Sequence, residues 1–197
     1  VPMWMYPMAI VCGNAFVLKP SERDPSASIY MATLLQDAGL PDGVLNVVSG
    51  TGPDAGSPLT LHPDVDKLAF TGSVATGRKV MTAAAQDIKN VSLELGGKSP
   101  FIVFADADLD AAIEGIVDSI WFNQGQVCCA GSRLLVHEGT AERLLAKLRA
   151  RMALLRVGDP LDKSIDIGPL IDRTQWQRVS GYVERARAEG AVITQAE

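Results

Sequence analysis

Residues 67–95 read KLAFTGSVATGRKVMTAAAQDIKNVSLEL, and this stretch decides the fold. Two short apolar runs, Lys67 to Phe70 and Asn90 to Leu95, bracket a helical pattern from Ser73 to Ala85. Strands separated by a helix of that length pair in parallel through a crossover, so the segment predicts a β-α-β unit. The same rhythm runs in both directions. Upstream, Asn14 to Lys19 reads as a buried strand, and Asp24-Pro25 as the N-cap and first-turn proline of a helix reaching Gly39. Val44 to Val48 is a second strand and Pro53 to Leu61 a short helix. Downstream, Pro100 to Phe104 is a strand, followed by a helix over Leu109 to Trp121 with Asp106, Asp108 and Asp110 at its start. Its apolar positions Leu109, Ile113, Ile116, Val117, Ile120 and Trp121 share one face. Arg133 to Val136 is a strand. Thr140 is expected to cap a helix to Leu155, Thr174 another to Gly190, and Leu154 to Ile167 reads as an irregular loop. The fold class is α/β, a parallel sheet with helices on both faces. Gly96-Gly97-Lys98 marks either a boundary between domains at 1–96 and 97–197 or a tight turn within one domain.

Composition narrows the function. The 197 residues are 47% hydrophobic and 21% charged, with 18 Lys+Arg against 23 Asp+Glu for a net charge of −5. So apolar a chain is not disordered, and folding at this length buries roughly 70% of the unfolded surface. The acidic balance argues against a nucleic-acid partner, and the run Arg143, Lys147, Arg149, Arg151 and Arg156 reads as a solvated helix face. No membrane partner is expected: the most apolar stretch, Met3 to Cys12, is about half a span and contains Pro7. The sequence opens on Val1 mid-pattern, without a charged leader, and closes on Glu197 just past an apolar run, so it reads as an excerpt. Three cysteines without framework spacing point to a reducing compartment, the cytoplasm.

Three elements carry candidate chemistry. Gly50-Thr-Gly52-Pro-Asp-Ala-Gly56 follows a strand and opens a helix, where a pyrophosphate would sit, although its glycine spacing also suits a bare turn. Phe70-Thr71-Gly72-Ser73, with Gly77, is a second strand–turn–helix junction at which Ser73 either caps the helix or donates to a phosphate. Cys128-Cys129 lies in a polar, glycine-punctuated stretch, a setting that suits a reactive thiol as well as a structural one. Cys12, inside an apolar run, reads as packing. Glu94 ends a strand whose neighbours Val91, Leu93 and Leu95 are apolar, which suits either a partly buried base with a raised pKa or a carboxylate on a sheet rim. His62 and His137 read as surface residues, and no metal-ligand spacing is present.

Taken in order, Phe70-Thr-Gly-Ser, Leu93-Glu-Leu-Gly-Gly-Lys98-Ser-Pro and Phe122-Asn-Gln-Gly-Gln-Val-Cys-Cys-Ala-Gly-Ser-Arg133 closely resemble the NAD(P)-dependent aldehyde dehydrogenase superfamily. The resemblance spans essentially the whole chain. It implies a Rossmann-like parallel sheet followed by the start of an α/β catalytic domain. By that resemblance Cys128 is the nucleophile and Glu94 the general base that activates water, while Cys129 is not catalytic. Lys19 and Glu22 hold the adenosine ribose, and a carboxylate at Glu22 favours NAD over NADP. Phe70, Thr71, Gly72, Ser73 and Thr76 line the pyrophosphate and adenine side with Gly52 and Gly56. Leu95 and Gly96 lie near the nicotinamide and Gln175 near its ribose. The implied reaction oxidises a small-molecule aldehyde to a carboxylic acid through a Cys128 thiohemiacetal and thioester, in a parent that is a homo-oligomer.

The sequence also departs from the family. The Asn-Phe-Pro motif of the oxyanion hole falls before Val1 by register, and the downstream Glu-x-Phe-Gly-Pro segment is not present. Read as an excerpt, this chain is expected to be inactive and to fold poorly by itself. Met3 to Asn14 and Lys19 to Ser28 look most like methylmalonate-semialdehyde dehydrogenases, which release the acyl group to coenzyme A and lack a carboxylate at the base position. Glu94 therefore favours hydrolysis over CoA acylation. A truncated, non-catalytic homologue is the third reading.

Overall fold

The parallel pairing expected for residues 67–95 is present, and it recurs twice more. A computed structural model describes residues 1–195. Ala196 and Glu197, which close the second expected domain and the stretch read as an excerpt's end, lie outside the described residues. Strand β1 (Phe16–Leu18) runs through helix α2 (Ser26–Asp37) to β2 (Leu45–Val47). Strand β3 (Lys67–Gly72) crosses by α4 (Val74–Gln86) to β4 (Asn90–Leu95), and β5 (Pro100–Val103) by α5 (Leu109–Trp121) to β6 (Arg133–Val136). Helices α1 (Tyr6–Val11), α3 (Ser57–Leu61), α6 (Glu138–Met152) and α7 (Arg173–Ala188) complete the set. Every pair is parallel. The ladders form three two-stranded sheets, not one continuous sheet, each joining the strands on either side of α2, α4 or α5. The chain divides into two compact units, Val1–Leu95 and Gly96–Glu197.

In the first unit, Tyr6, Leu68 and Ala84 are the buried hydrophobic residues, and the Tyr6 ring meets Phe16 edge-on at 6.3 Å. Pro7 does not break the Met3–Cys12 stretch; it sits in the first turn of α1, where backbone N–H groups lack helical partners anyway. Cys12 is at the C-cap of α1 and exposed, not packed, because so short a helix buries only Tyr6. Helix α2 starts at Ser26 with Pro25 in the cap position, so Asp24 stands one residue outside.

The second unit has the larger core. Val103, Ile113, Ile116, Leu144 and Leu148 form it, with Phe101, Ile120, Trp121 and Leu134 packed around them. Two cap expectations fail. His137, not Thr140, caps α6 by accepting the Gly139 N–H at 3.1 Å, while Thr140 is buried within the first turn and donates to the His137 carbonyl at 3.0 Å. Asp172, not Thr174, caps α7 by accepting the Gln175 N–H at 2.7 Å. Asp is the stronger cap, and Gln three residues on gives it capping-box spacing. The basic run is partly ion-paired: Lys147 meets Asp110 at 2.5 Å and Arg151 meets Glu114 at 2.9 Å, lacing α6 to α5. Arg156 pairs with Asp166, which also accepts the Arg156 backbone N–H at 2.9 Å and so closes the irregular loop.

Candidate active site

In the first unit the candidate cofactor residues cluster at the C-terminal ends of parallel strands, the edge at which α/β sheets bind ligands. Lys19 follows β1, and its Nζ crosses to the Gly50 carbonyl beyond β2 at 2.8 Å while also donating to the Pro20 carbonyl at 2.6 Å. Its third partner is Glu22 at 3.4 Å. The Glu22 carboxyl is held below its ordinary value, first by its own backbone N–H and then by Lys19. A Cβ at Gly56 would lie 3.7 Å from Lys19 Cδ, so the glycine segment flanks this pair. Gly50 itself is obligatory. Its φ is +153° and a Cβ would stand 2.8 Å from Ala55 Cβ, which lets the turn fold onto the one-turn π-helix Gly52–Gly56.

At the second junction Ser73 Oγ accepts the Thr76 N–H at 3.1 Å and contacts Thr76 Oγ1 at 3.0 Å, so it caps α4. Gly72 lies under the Phe70 ring, where a Cβ would come within 2.6 Å. A Cβ at Gly77 would stand 2.7 Å from Leu95 Cδ2, so a bare helix backbone presses Leu95 into place. Successive side chains point to opposite faces, so Glu94 faces away from α4. It is exposed, which corrects the expected partial burial and fits the sheet-rim alternative. Its cross-strand partner is Thr71, whose buried Oγ1 has no hydrogen-bond partner among the described residues.

In the second unit Cys128 and Cys129 occupy the corners of a turn closed by the Ala130 N–H on the Val127 carbonyl at 3.1 Å. Cys128 is half-buried and Cys129 exposed. On the upstream side, Asn123, Gln124 and Gly125 take φ of 50°, 58° and 74°, a left-handed turn that reverses the chain after α5. On the downstream side, Ala130 is buried and the Gly131 N–H donates to Ser119 Oγ on α5 at 2.9 Å. With its amide oxygen turned toward Gly168, Gln124 accepts that N–H at 3.2 Å, which props the turn on the loop clipped by Arg156 and Asp166. Gly50, Ser119 and Gly168 were not singled out for these contacts. The motif glycines signal close approach, whereas nothing near Ser119 marks it. Gln175 lies in the first turn of α7, beside an open cleft of Pro169, Leu170, Asp172, Arg173 and Trp176, and Gly96 opens the second unit. Among the described residues no group of three or more His, Cys, Asp and Glu side chains is arranged to hold a metal, and no helix is long and apolar enough to cross a membrane.

Known proteins match this chain along its length. The family model described as the aldehyde dehydrogenase family covers residues 1–196. An aldehyde dehydrogenase of Agaricus bisporus is 45% identical over 191 residues, 96% of this chain and 38% of its own length. The NAD+ complex of an aldehyde dehydrogenase from Bacillus cereus superposes with a TM-score of 0.91 at 43% identity, covering 95% of this chain and 39% of that one. An NADP-dependent enzyme of E. coli gives 0.92 at 45% identity, over 94% of this chain and 39% of that one. The chain spans about two-fifths of the length of the curated relatives it matches.

Proposed function

The chain belongs to the aldehyde dehydrogenase family and has its α/β fold, and from that premise we propose that it carries the nucleophile, the general base and part of the NAD site of an enzyme that oxidises an aldehyde to a carboxylic acid. The observation that carries this reading is the seat of Cys128: half-buried at the corner of a tight turn, outside any helix or strand, with both limbs tied to a rigid scaffold. A partly exposed thiol held this way is accessible to a substrate carbonyl.

The residues present fit NAD. Glu22 offers an acceptor to a ribose diol, Lys19 can donate to it in exchange for its 3.4 Å contact with Glu22, and buried Thr71 Oγ1 is left with hydrogen-bonding capacity. An anionic Glu22 would repel a 2′-phosphate, so NAD is the preferred dinucleotide, and the nicotinamide, when bound, accepts a hydride. The rest of the reaction belongs to the chain. Cys128 Sγ attacks the carbonyl carbon and forms a thiohemiacetal; loss of hydride from that carbon leaves a thioester on Cys128. Glu94, exposed to solvent, takes a proton from water as the oxygen adds to the thioester, and collapse expels the thiolate with the carboxylic acid. Hydrolysis rather than transfer to coenzyme A follows from the carboxylate at position 94. Three free thiols suit a reducing compartment, which makes the cytoplasm the proposed location.

Replacement of Cys128 by Ala in the protein that contains this chain should abolish NADH formation, and retained steady turnover would sink the assignment. Glu94→Gln should leave a single burst of NADH followed by slow release of product. Strict dependence of turnover on added coenzyme A would reject the hydrolytic reading.

A further inference from the structure

We propose that Ser119 is the positioning residue of the nucleophile turn: its hydroxyl, fixed on the core helix α5, sets how tightly Cys128 is held. The inference rests on the reading of Cys128 as nucleophile. Ser119 sits on the helix that leads directly into the turn, three residues beyond Ile116, whose side chain is fully buried. The chain leaves α5 at Trp121, passes through the left-handed residues, turns at Cys128 and Cys129, and returns to lay Gly131 against Ser119. The Gly131 N–H to Ser119 Oγ hydrogen bond, 2.9 Å long and spanning 12 positions, therefore closes a ring in which Cys128 lies three residues before the closing amide.

The closure is intimate. A Cβ at Gly131 would stand 2.6 Å from Ser119 Oγ and 3.0 Å from both Cβ and Cδ2 of Phe101, so only bare backbone approaches this closely. Immediately after Gly131 the backbone is committed to β6, with the Arg133 N–H donating to the Ser99 carbonyl at 3.1 Å. Ser119 thus joins the thiol turn to the layer of β5, β6 and α5 through a side-chain hydrogen bond and not through backbone pairing. Ser119→Ala leaves a part-buried N–H without this acceptor while removing only a hydroxyl from the helix, so it loosens the ring without taking any hydrophobic side chain from the core.

The test is made on the protein that contains this chain, with Cys12 and Cys129 replaced by Ser and alkylation read at Cys128 by peptide mass spectrometry. Alkylation by iodoacetamide is followed from pH 6 to 10, alongside hydrogen exchange at the Gly131, Ile116 and Leu144 amides. Ser119→Ala should speed alkylation about three- to tenfold across the profile, the factor a net hydrogen bond represents, and should deprotect Gly131 while Ile116 and Leu144 keep their protection. Ser119→Thr, which restores the hydroxyl, should return both readouts. An unchanged alkylation profile in Ser119→Ala overturns the proposal, as does deprotection shared equally by Ile116 and Leu144, which marks general loosening. Failure of the nucleophile reading would appear separately, as steady NADH formation by Cys128→Ala, and would leave the alkylation result standing.

Discussion

Gly131→Ala adds one methyl group where the backbone of the thiol turn touches its scaffold. The added carbon would fall 2.6 Å from Ser119 Oγ and 3.0 Å from Phe101 Cβ and Cδ2. Ser119 can swing its oxygen aside only by giving up the Gly131 hydrogen bond, and Phe101 Cβ is fixed to β5 and cannot retreat. Overpacking of this kind costs about 1–3 kcal/mol, and the lost hydrogen bond about 0.5–1.5 kcal/mol more. The stiffer unfolded chain returns about 0.4–1 kcal/mol. The variant is therefore destabilised by about 0.5–4 kcal/mol, centred near 2 kcal/mol, which at a urea dependence of about 1–3 kcal/mol per molar lowers the unfolding midpoint by about 1 M. Trp121 is the natural reporter because it packs on the core of the second unit, while Trp4 and Trp176 are 60% and 55% exposed and change little on unfolding. A Ser119→Ala, Gly131→Ala double variant should lose less than the sum of the single variants, since the shortest contact disappears with the hydroxyl. An unchanged midpoint in Gly131→Ala, or strict additivity in the double variant, would refute the reasoning.

Three further outcomes are expected. Because the Glu22 carboxyl lies below its ordinary value, its contact with Lys19 is intact at neutral pH and is lost as the pH falls through that lowered value. NAD affinity should fall over the same range, and Glu22→Gln should narrow the preference for NAD over NADP in fluorescence titrations; an unaltered preference would remove Glu22 from the ribose site. Asp166 is likewise held low, chiefly by hydrogen bonding from the Arg156 side chain, so acid or Asp166→Asn should open the loop between them and raise its rate of proteolytic nicking. Equal nicking at pH 7 in the variant and the parent would count against the clip. Finally, the first unit buries Tyr6, Leu68 and Ala84 where the second buries Val103, Ile113, Ile116, Val117, Ala130, Leu144 and Leu148. Amides of β3 and β4 should accordingly exchange faster than those of β5 and β6, and the reverse order would contradict this account of the cores.

The periodic elements were legible because they are local. The buried stripe Ile113, Ile116 and Val117 of α5 follows directly from helical spacing, and the strand assignments match the observed ones to within two residues at their ends, those of β4 and β6 coinciding with them. Caps were less legible, since several polar residues crowd each helix start and only geometry selects His137 over Thr140. Partition of the strands into three pairs is non-local, and alternation along β3 or β4 carries no information about it. The same limit governs the site. Motifs mark Cys128, Gly72 and Lys19, but the Gly50 carbonyl that holds Lys19 lies 31 positions away, and Ser119 looks like any polar residue on a helix. Glu94 shows the converse: the alternation that marks its face is local, while its exposure depends on what packs against that face.

The left-handed turn at Asn123, Gln124 and Gly125 gives the approach to the thiol an inverted chirality. Right-handed geometry is the inexpensive one for L-amino acids, and each departure costs about 1–2 kcal/mol except at glycine and, in part, asparagine. Of these three residues Gln124 carries the largest mismatch between its configuration and its backbone. A semisynthetic chain with D-alanine at that one position, compared with L-alanine there, would read the backbone preference alone, since neither presents an amide to Gly168. At this joint, unlike the helices on either side, the mirror-image residue is the better fit, and handedness becomes a quantity that can be adjusted independently of side-chain chemistry.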